Sequence, residues 1–163
     1  MATGSGEFAR YYAARYRALR RTAYLLSGDW HEAEDLTQAA FVRLYLAWRR
    51  VRADGAHAYA RRVLLNEFLG RRRRNHEHSV EDLPQLAVPG DSPEDRVDLA
   101  AALRAVPPQQ RAVVVLRYWE GLSVGQTAHL LGIAEGTVKS QAARGLAALR
   151  THLTPAVDPR IRP

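Results

Sequence analysis

Apolar residues recur along most of this chain at steps of three and four, the interval that lines one face of an α-helix. No run of alternating β-branched residues competes with that pattern, so the expected fold class is all-α. A first helix is predicted over about residues 7–26, where Phe8, Tyr12, Tyr16, Leu19, Ala23 and Leu26 fall on one stripe. Ser27-Gly28 stops it, and Asp29 can cap the next helix with Glu32 three residues on. That second helix runs to about residue 48, with Ala33, Leu36, Ala40, Leu44 and Ala47 at helical spacing. A loop over 50–56 holds Asp54-Gly55. The third helix, about 57–73, carries Tyr59, Val63 and Leu64 on one side and ends in Arg71-Arg72-Arg73-Arg74.

From residue 75 to 91 the periodicity fails. Pro84, Pro89, Gly90 and acidic side chains mark a flexible linker with few means of burying itself. Ser92-Pro93-Glu94-Asp95 restarts the helical pattern with a Ser cap, Pro in the first turn and acids facing the dipole. Four helices are predicted at about 93–105, 108–119, 124–131 and 135–151, separated by Pro107-Pro108, Gly121 and Gly132. The chain therefore divides into a three-helix domain over 1–74, an acidic linker over 75–92, a four-helix domain over 93–153 and a tail over 154–163.

Spacing within the second domain is more specific. Ser123-Val124-Gly125-Gln126 reads as a capping box opening a short helix. Ala128 lies four residues before Gly132 and Val138 six after it, as a helix-turn-helix requires. The small Ala lets the second helix cross closely, the Gly makes the turn, and the Val plugs the shared core. In the last helix Val138, Ala142, Leu146 and Leu149 point inward, leaving Thr137, Ser140, Gln141 and Arg144 off the stripe and Lys139 near its edge. These five reach base edges or phosphates if the helix enters a major groove. A merely solvated polar face is the plainer alternative, and the turn signature weighs against it.

Charge sharpens the picture. The chain of 163 residues carries +7, unevenly spread. Residues 1–74 hold 15 basic and 7 acidic side chains, residues 75–98 hold 1 and 7, and residues 99–163 hold 8 and 3. Two basic blocks flank an acidic connector, which suits a polyanionic partner such as nucleic acid. All but one of the basic residues are Arg, whose planar fork matches phosphate and guanine.

Cysteine is absent, which excludes disulfides, thiolate metal sites and thiol nucleophiles. Of the six His, only His76-Glu77-His78 cluster, without a third ligand nearby, so no metal or other cofactor is expected. No Gly-rich phosphate loop or nucleophile motif points to an enzyme. No apolar run approaches the roughly 18–20 residues that cross a bilayer, and no signal peptide opens the chain, so membrane insertion is not expected and the cytoplasm is the expected location.

Several stretches then resemble the extracytoplasmic-function (ECF, group IV) sigma factors of the sigma-70 family. Pro107-Pro108-Gln109-Gln110-Arg111, Leu116-Arg117-Tyr118, Gly121-Leu122-Ser123 and the run from Leu131 to Ser140 resemble the family's region 4. The resemblance implies that the final helix reads the −35 promoter element through Thr137, Lys139, Ser140, Gln141 and Arg144. The family usually has Arg at the position of Gln141 and Leu at that of Ala142.

Glu34 to Leu44 resembles the region 2 helix that docks on the clamp helices of the polymerase β′ subunit, which implies Asp35, Gln38 and Phe41 as docking residues. Ala39 stands where the family often has Glu. The loop over 49–57 and the following helix resemble the part that captures the −10 element, implying contacts from Arg52, His57, Tyr59, Arg62 and Asn66. Cations for phosphate, an aromatic face for a splayed base and an amide for base edges suit an unpaired strand. The Arg71–Arg74 run is expected on phosphates. Ala58 to Asn66 is similar to a SigE-like subgroup common in actinobacteria.

The implied partners are core RNA polymerase, through the β′ clamp helices and the β flap, promoter DNA, and an anti-sigma factor of the kind common in the family. Glu77, Glu81, Asp82 and Asp91 in the tether are either nucleic-acid mimics or an ordinary solvated linker. The alternative function is a helix-turn-helix regulator that binds duplex DNA without engaging polymerase; the docking helix over 31–48 separates the two.

Overall fold

The computed structural model describes residues 3–51, 54–78 and 94–153, and every element among them is helical. In chain order these are α1 (Thr3–Ser27), α2 (Trp30–Ala47), α3 (Ala56–His78), α4 (Glu94–Arg104), α5 (Pro108–Val114), a π-helical turn (Val115–Trp119), α6 (Val124–Leu131) and α7 (Glu135–Leu153). The all-α expectation and the three-plus-four division hold. The Ser92-Pro93 cap, Arg52, and Glu81, Asp82 and Asp91 of the tether lie outside the described residues.

Helices α1, α2 and α3 form one bundle, closed by the stripes that the spacing marked. Leu19, Ala23, Leu26, Ala33, Leu36, Ala40, Leu44, Val63 and Leu64 are all buried, joined by Phe68 one turn further on. At the open end of the bundle Phe8 meets Trp48 edge to face at 5.4 Å, and Tyr12 meets Phe41 at 4.7 Å. The start of α2 differs from expectation. The Asp29 carboxylate accepts from the His31 amide at 2.8 Å, but Glu32 does not complete a capping box. It turns to α3 and pairs with Arg72 at 2.8 Å.

That pairing also explains why α3 runs to His78, into the stretch expected to be linker. Arg72 is tied to Glu32, and Arg71 lies 3.8 Å from Glu67 one turn back, so the arginine run is held on the bundle as helix. An internal ion pair removes Arg72 from the expected set of phosphate contacts; Arg73 and Arg74 remain exposed.

In the second module α5 crosses α7 at Gly145. A Cβ there would lie 2.6 Å from Val114 Cγ2 and 3.2 Å from the Gln110 carbonyl, so only glycine permits the approach. The single helix expected over 108–119 is interrupted. From Val115 the hydrogen bonding widens, with the Glu120 amide donating to the Val115 carbonyl at 3.0 Å. Three successive β-branched valines, Val113 to Val115, lead into this turn and crowd an α-helical one. Its result is an exposed Tyr118-Trp119 pair.

The two modules share one continuous apolar cluster, from Leu26 and Phe68 on one side to Leu103, Val106 and Leu116 on the other. Arg111 crosses the junction. Only 6% exposed, it donates to the Leu26 carbonyl at 2.5 Å, to Val106 at 3.0 Å and to Arg104 at 3.2 Å, closing the C-terminal ends of α1 and α4 together. These carbonyls lack helical partners and carry the negative end of the dipole, so a cation suits them. Burial, with Arg72 and Arg104 nearby, lowers the Arg111 pKa to about 10.

Candidate nucleic-acid interface

The helix-turn-helix forms as its spacing requires. Ser123 Oγ accepts from the Gln126 amide at 3.0 Å while the Gln126 side chain accepts from the Ser123 amide at 2.9 Å, so the capping box opens α6. Gly132 ends α6 in the left-handed region with φ 65°, which glycine adopts without strain. Ala128 and Val138 are buried in the angle, with Val124, Leu131 and Ile133 around them.

On α7, Thr137, Ser140, Gln141 and Arg144 share one face, since 3.6 residues make a turn; Lys139 sits on the other flank. Ser140 and Arg144 are exposed, Thr137 and Gln141 partly so. Ser140 Oγ donates to the Thr137 carbonyl at 3.1 Å, leaving its oxygen free to accept. Gln141 Oε1 is buried without a partner, so this amide is held inward rather than offered fully to a groove. Arg144 has no ion pair among the described residues, and its fork is available.

On α3 the expected −10 residues separate into two groups. Tyr59, Arg62 and Asn66 lie within a third of a turn of one another, with Arg62 and Asn66 exposed and the Tyr59 ring half-covered. His57 stands nine residues before Asn66, half a turn away, and points to the module junction. Its Nε2 lies 2.9 Å from Arg61 Nη2, and burial together with Arg61 lowers its pKa. The structure thus places His57 at the module junction, apart from Tyr59, Arg62 and Asn66.

On α2, Asp35 and Gln38 are exposed on a shared face. Phe41, expected beside them, is only 2% exposed and belongs to the aromatic core under Phe8 and Tyr12. Three other residues take its place. Val42, Tyr45 and Leu46 are 56%, 55% and 77% exposed and extend the Asp35–Gln38 face into an apolar strip. They were legible in the sequence as large apolar residues off the inward stripe.

Glu120 is the residue that sequence reasoning missed. Its carboxylate meets Arg61 Nη2 at 2.8 Å and accepts from the Thr22 hydroxyl at 2.5 Å, so one side chain of the second module holds α1 and α3 of the first. Among the described residues no group of three His, Asp or Glu could hold a metal ion, and no helix is long and apolar enough to cross a membrane.

Comparison with known proteins agrees with this layout. Residues 11–85 match the family model "Sigma-70 region 2" and residues 96–149 match "Sigma-70, region 4". The chain is 44% identical to the RNA polymerase sigma-E factor of Streptomyces avermitilis, over 90% of this chain and 85% of that protein. It is 37% identical to the ECF RNA polymerase sigma factor SigE of Mycolicibacterium smegmatis, over 90% of this chain and 60% of that one. Among solved structures, the sigma factor RpoE of Bartonella quintana, in complex with the anti-sigma factor NepR, superposes with a TM-score of 0.74 at 25% identity, covering 90% of this chain and 96% of that one.

Proposed function

The chain belongs to the extracytoplasmic-function group of the sigma-70 family, with regions 2 and 4 as its two helical modules, and from that premise we propose how its surfaces divide the work. As a sigma factor it binds core RNA polymerase and directs it to promoters. Its role is binding and DNA opening, with no bond-making step assigned to any residue, in the cytoplasm where polymerase and chromosome meet.

The α7 face of Thr137, Ser140 and Arg144, with Lys139 on the opposite flank of the helix and Gln141 supporting it, reads the −35 element in the major groove. The α3 face of Tyr59, Arg62 and Asn66 holds the −10 strand, with Arg52 in the preceding loop. Asp35 and Gln38 dock on the β′ clamp helices with Val42, Tyr45 and Leu46 as the apolar part of the contact. The exposed Tyr118-Trp119 pair on the second module offers an apolar surface to the β flap. An anti-sigma factor is a further partner, as the Bartonella protein has in its complex.

One observation carries this reading over a DNA-only regulator: a polar and apolar docking strip, open to solvent, on a module separate from the helix-turn-helix. Run-off transcription with purified core polymerase tests it. Promoter-specific transcript that requires this protein is expected; sequence-specific DNA binding with no transcript would leave only the regulator.

A further inference from the structure

We infer that Lys139 is an acylation site, where an acyl group taken from an acyl phosphate or acyl thioester weakens the hold of α7 on DNA and leaves polymerase docking as it was. The inference rests on the −35 role proposed above for α7. Lys139 is the only lysine among the chain's 24 basic residues. Arginine stays protonated in proteins and offers no amine lone pair, so an acyl donor meets a single reactive side-chain amine. Charge loss by this chemistry is therefore confined to one helix. The docking face of α2 and the Tyr59, Arg62 and Asn66 face of α3 hold no lysine and keep their charges.

The surroundings of Lys139 leave its amine open to a donor. The residue is exposed, with Gly136 before it in open space and Ala143 one turn after it exposed as well. Glu135, the only acid on α7, stands four residues before it, the order in which Glu and Lys pair well across a helical turn. That pair is not made. The Glu135 carboxylate turns to α6 instead, where its Oε1 lies 3.2 Å from the place a Cβ on Gly125 would take. Glycine at 125 admits it, and no ion pair among the described residues involves Lys139. An amine held by a carboxylate must leave it before losing a proton; this one need not.

In the reaction Nζ loses a proton to solvent and its lone pair attacks the acyl carbonyl. The C–N bond forms, the C–O or C–S bond of the donor breaks, and phosphate or thiolate leaves. The product is a neutral amide, so one positive charge of α7 is gone. A helix lying in a major groove sets its flanks against the phosphate walls, and Lys139 stands on the flank opposite Thr137 and Gln141, so the charge lost is a phosphate contact. A counterion slope of about 0.9 per phosphate makes one such contact worth about eightfold in affinity at about 0.1 M salt, relative to about 1 M.

The test treats the full-length protein with acetyl phosphate, removes the donor, and then assembles the protein with core polymerase. Lys139→Arg is carried in parallel, and each protein is compared with its own untreated sample. Peptide mass mapping should find acetyl on Lys139 of the wild type and on no side chain of Lys139→Arg; acetylation of the α-amino group is common to both and cancels. Treatment should weaken promoter binding by the wild-type assembly about eightfold and that of Lys139→Arg less than about twofold, with co-elution with core polymerase unaltered. Lys139 left unmodified while the α-amino group is acetylated would overturn the site. So would acetylated Lys139 with unchanged promoter binding, or an equal loss in Lys139→Arg. Mass mapping needs neither polymerase nor promoter, whereas untreated protein that fails to assemble with core polymerase would sink the sigma reading alone.

Discussion

Replacing Arg111 with Met keeps most of the buried volume and deletes the guanidinium that closes two helix ends. Three carbonyls, those of Leu26, Arg104 and Val106, lose a charged donor, and Leu26 and Val106 are themselves almost fully buried. Hydrogen bonds from a charged group contribute about 1.5–3 kcal/mol each. Against this stands the desolvation that the variant no longer suffers. A fall in pKa from 12.5 to about 10, caused first by burial, corresponds to about 3 kcal/mol. The net loss is about 2–5 kcal/mol, most of it from carbonyls left buried without partners. In a chain of this size each kcal/mol moves the midpoint by about 2–4 °C, so Arg111→Met should melt about 5–20 °C below the wild type. Thermal unfolding followed by far-ultraviolet circular dichroism reads this directly. Arg111→Lys should recover less than half of the loss, since an ammonium cannot reach three carbonyls with a planar fork. A melting point of Arg111→Met within 2 °C of the wild type would mean that Arg111 only fills space.

Other surfaces give sharper functional tests. Asp35→Ala with Gln38→Ala should weaken core polymerase binding about tenfold, and adding Leu46→Asp should all but abolish it, with the melting point unchanged because these side chains are exposed; assembly measured by co-elution with core polymerase would refute this if unaltered. Arg144→Ala should cost about 1–3 kcal/mol on the preferred −35 sequence and relax selection at one position, while Arg144→Lys keeps the charge and loses most of the selectivity. A uniform loss across single-base −35 variants would make Arg144 a phosphate contact instead. Gly145→Ala should destabilise by about 1–2 kcal/mol, since the clash with buried Val114 outweighs the better helix propensity, whereas Gly136→Ala, with open space around its Cβ position, should stabilise by about 0.5–1 kcal/mol. Equal melting points for the two would place the α5–α7 contact elsewhere.

Much of the site was legible because local rules generate it. The capping box at Ser123, the left-handed turn at Gly132 and the outward face of α7 follow from spacing alone, and the structure places them as spacing demands. Other side chains had two plausible destinations, and the structure places them away from the neighbours that spacing suggested. Phe41 sits at a helical interval from Asp35 and Gln38 that suits docking, but it also borders the inward stripe, and the aromatic ring of Phe8, Tyr12 and Tyr16 on α1 drew it inside. His57 was read from a motif without its angular position on α3, which turns it away from Tyr59, Arg62 and Asn66. Glu32 had a local capping role available and took a long-range ion pair with Arg72 instead.

The amino-acid sequence by itself determined the helices, their inward stripes, the helix-turn-helix and the division into two basic modules around an acidic connector. Those features depend on neighbours three to seven residues apart, where periodicity, caps and turn residues act. Only the tertiary structure decided that the modules close on each other, that a π-helical turn after Val114 swings Glu120 toward Arg61 and Thr22, and that Arg111 closes the ends of α1 and α4 at once. Those contacts join residues 59, 98 and 85 positions apart, and no local pattern records which buried charge will meet which. That choice is made by competition for burial and hydrogen bonds among surfaces that exist only after the helices have packed.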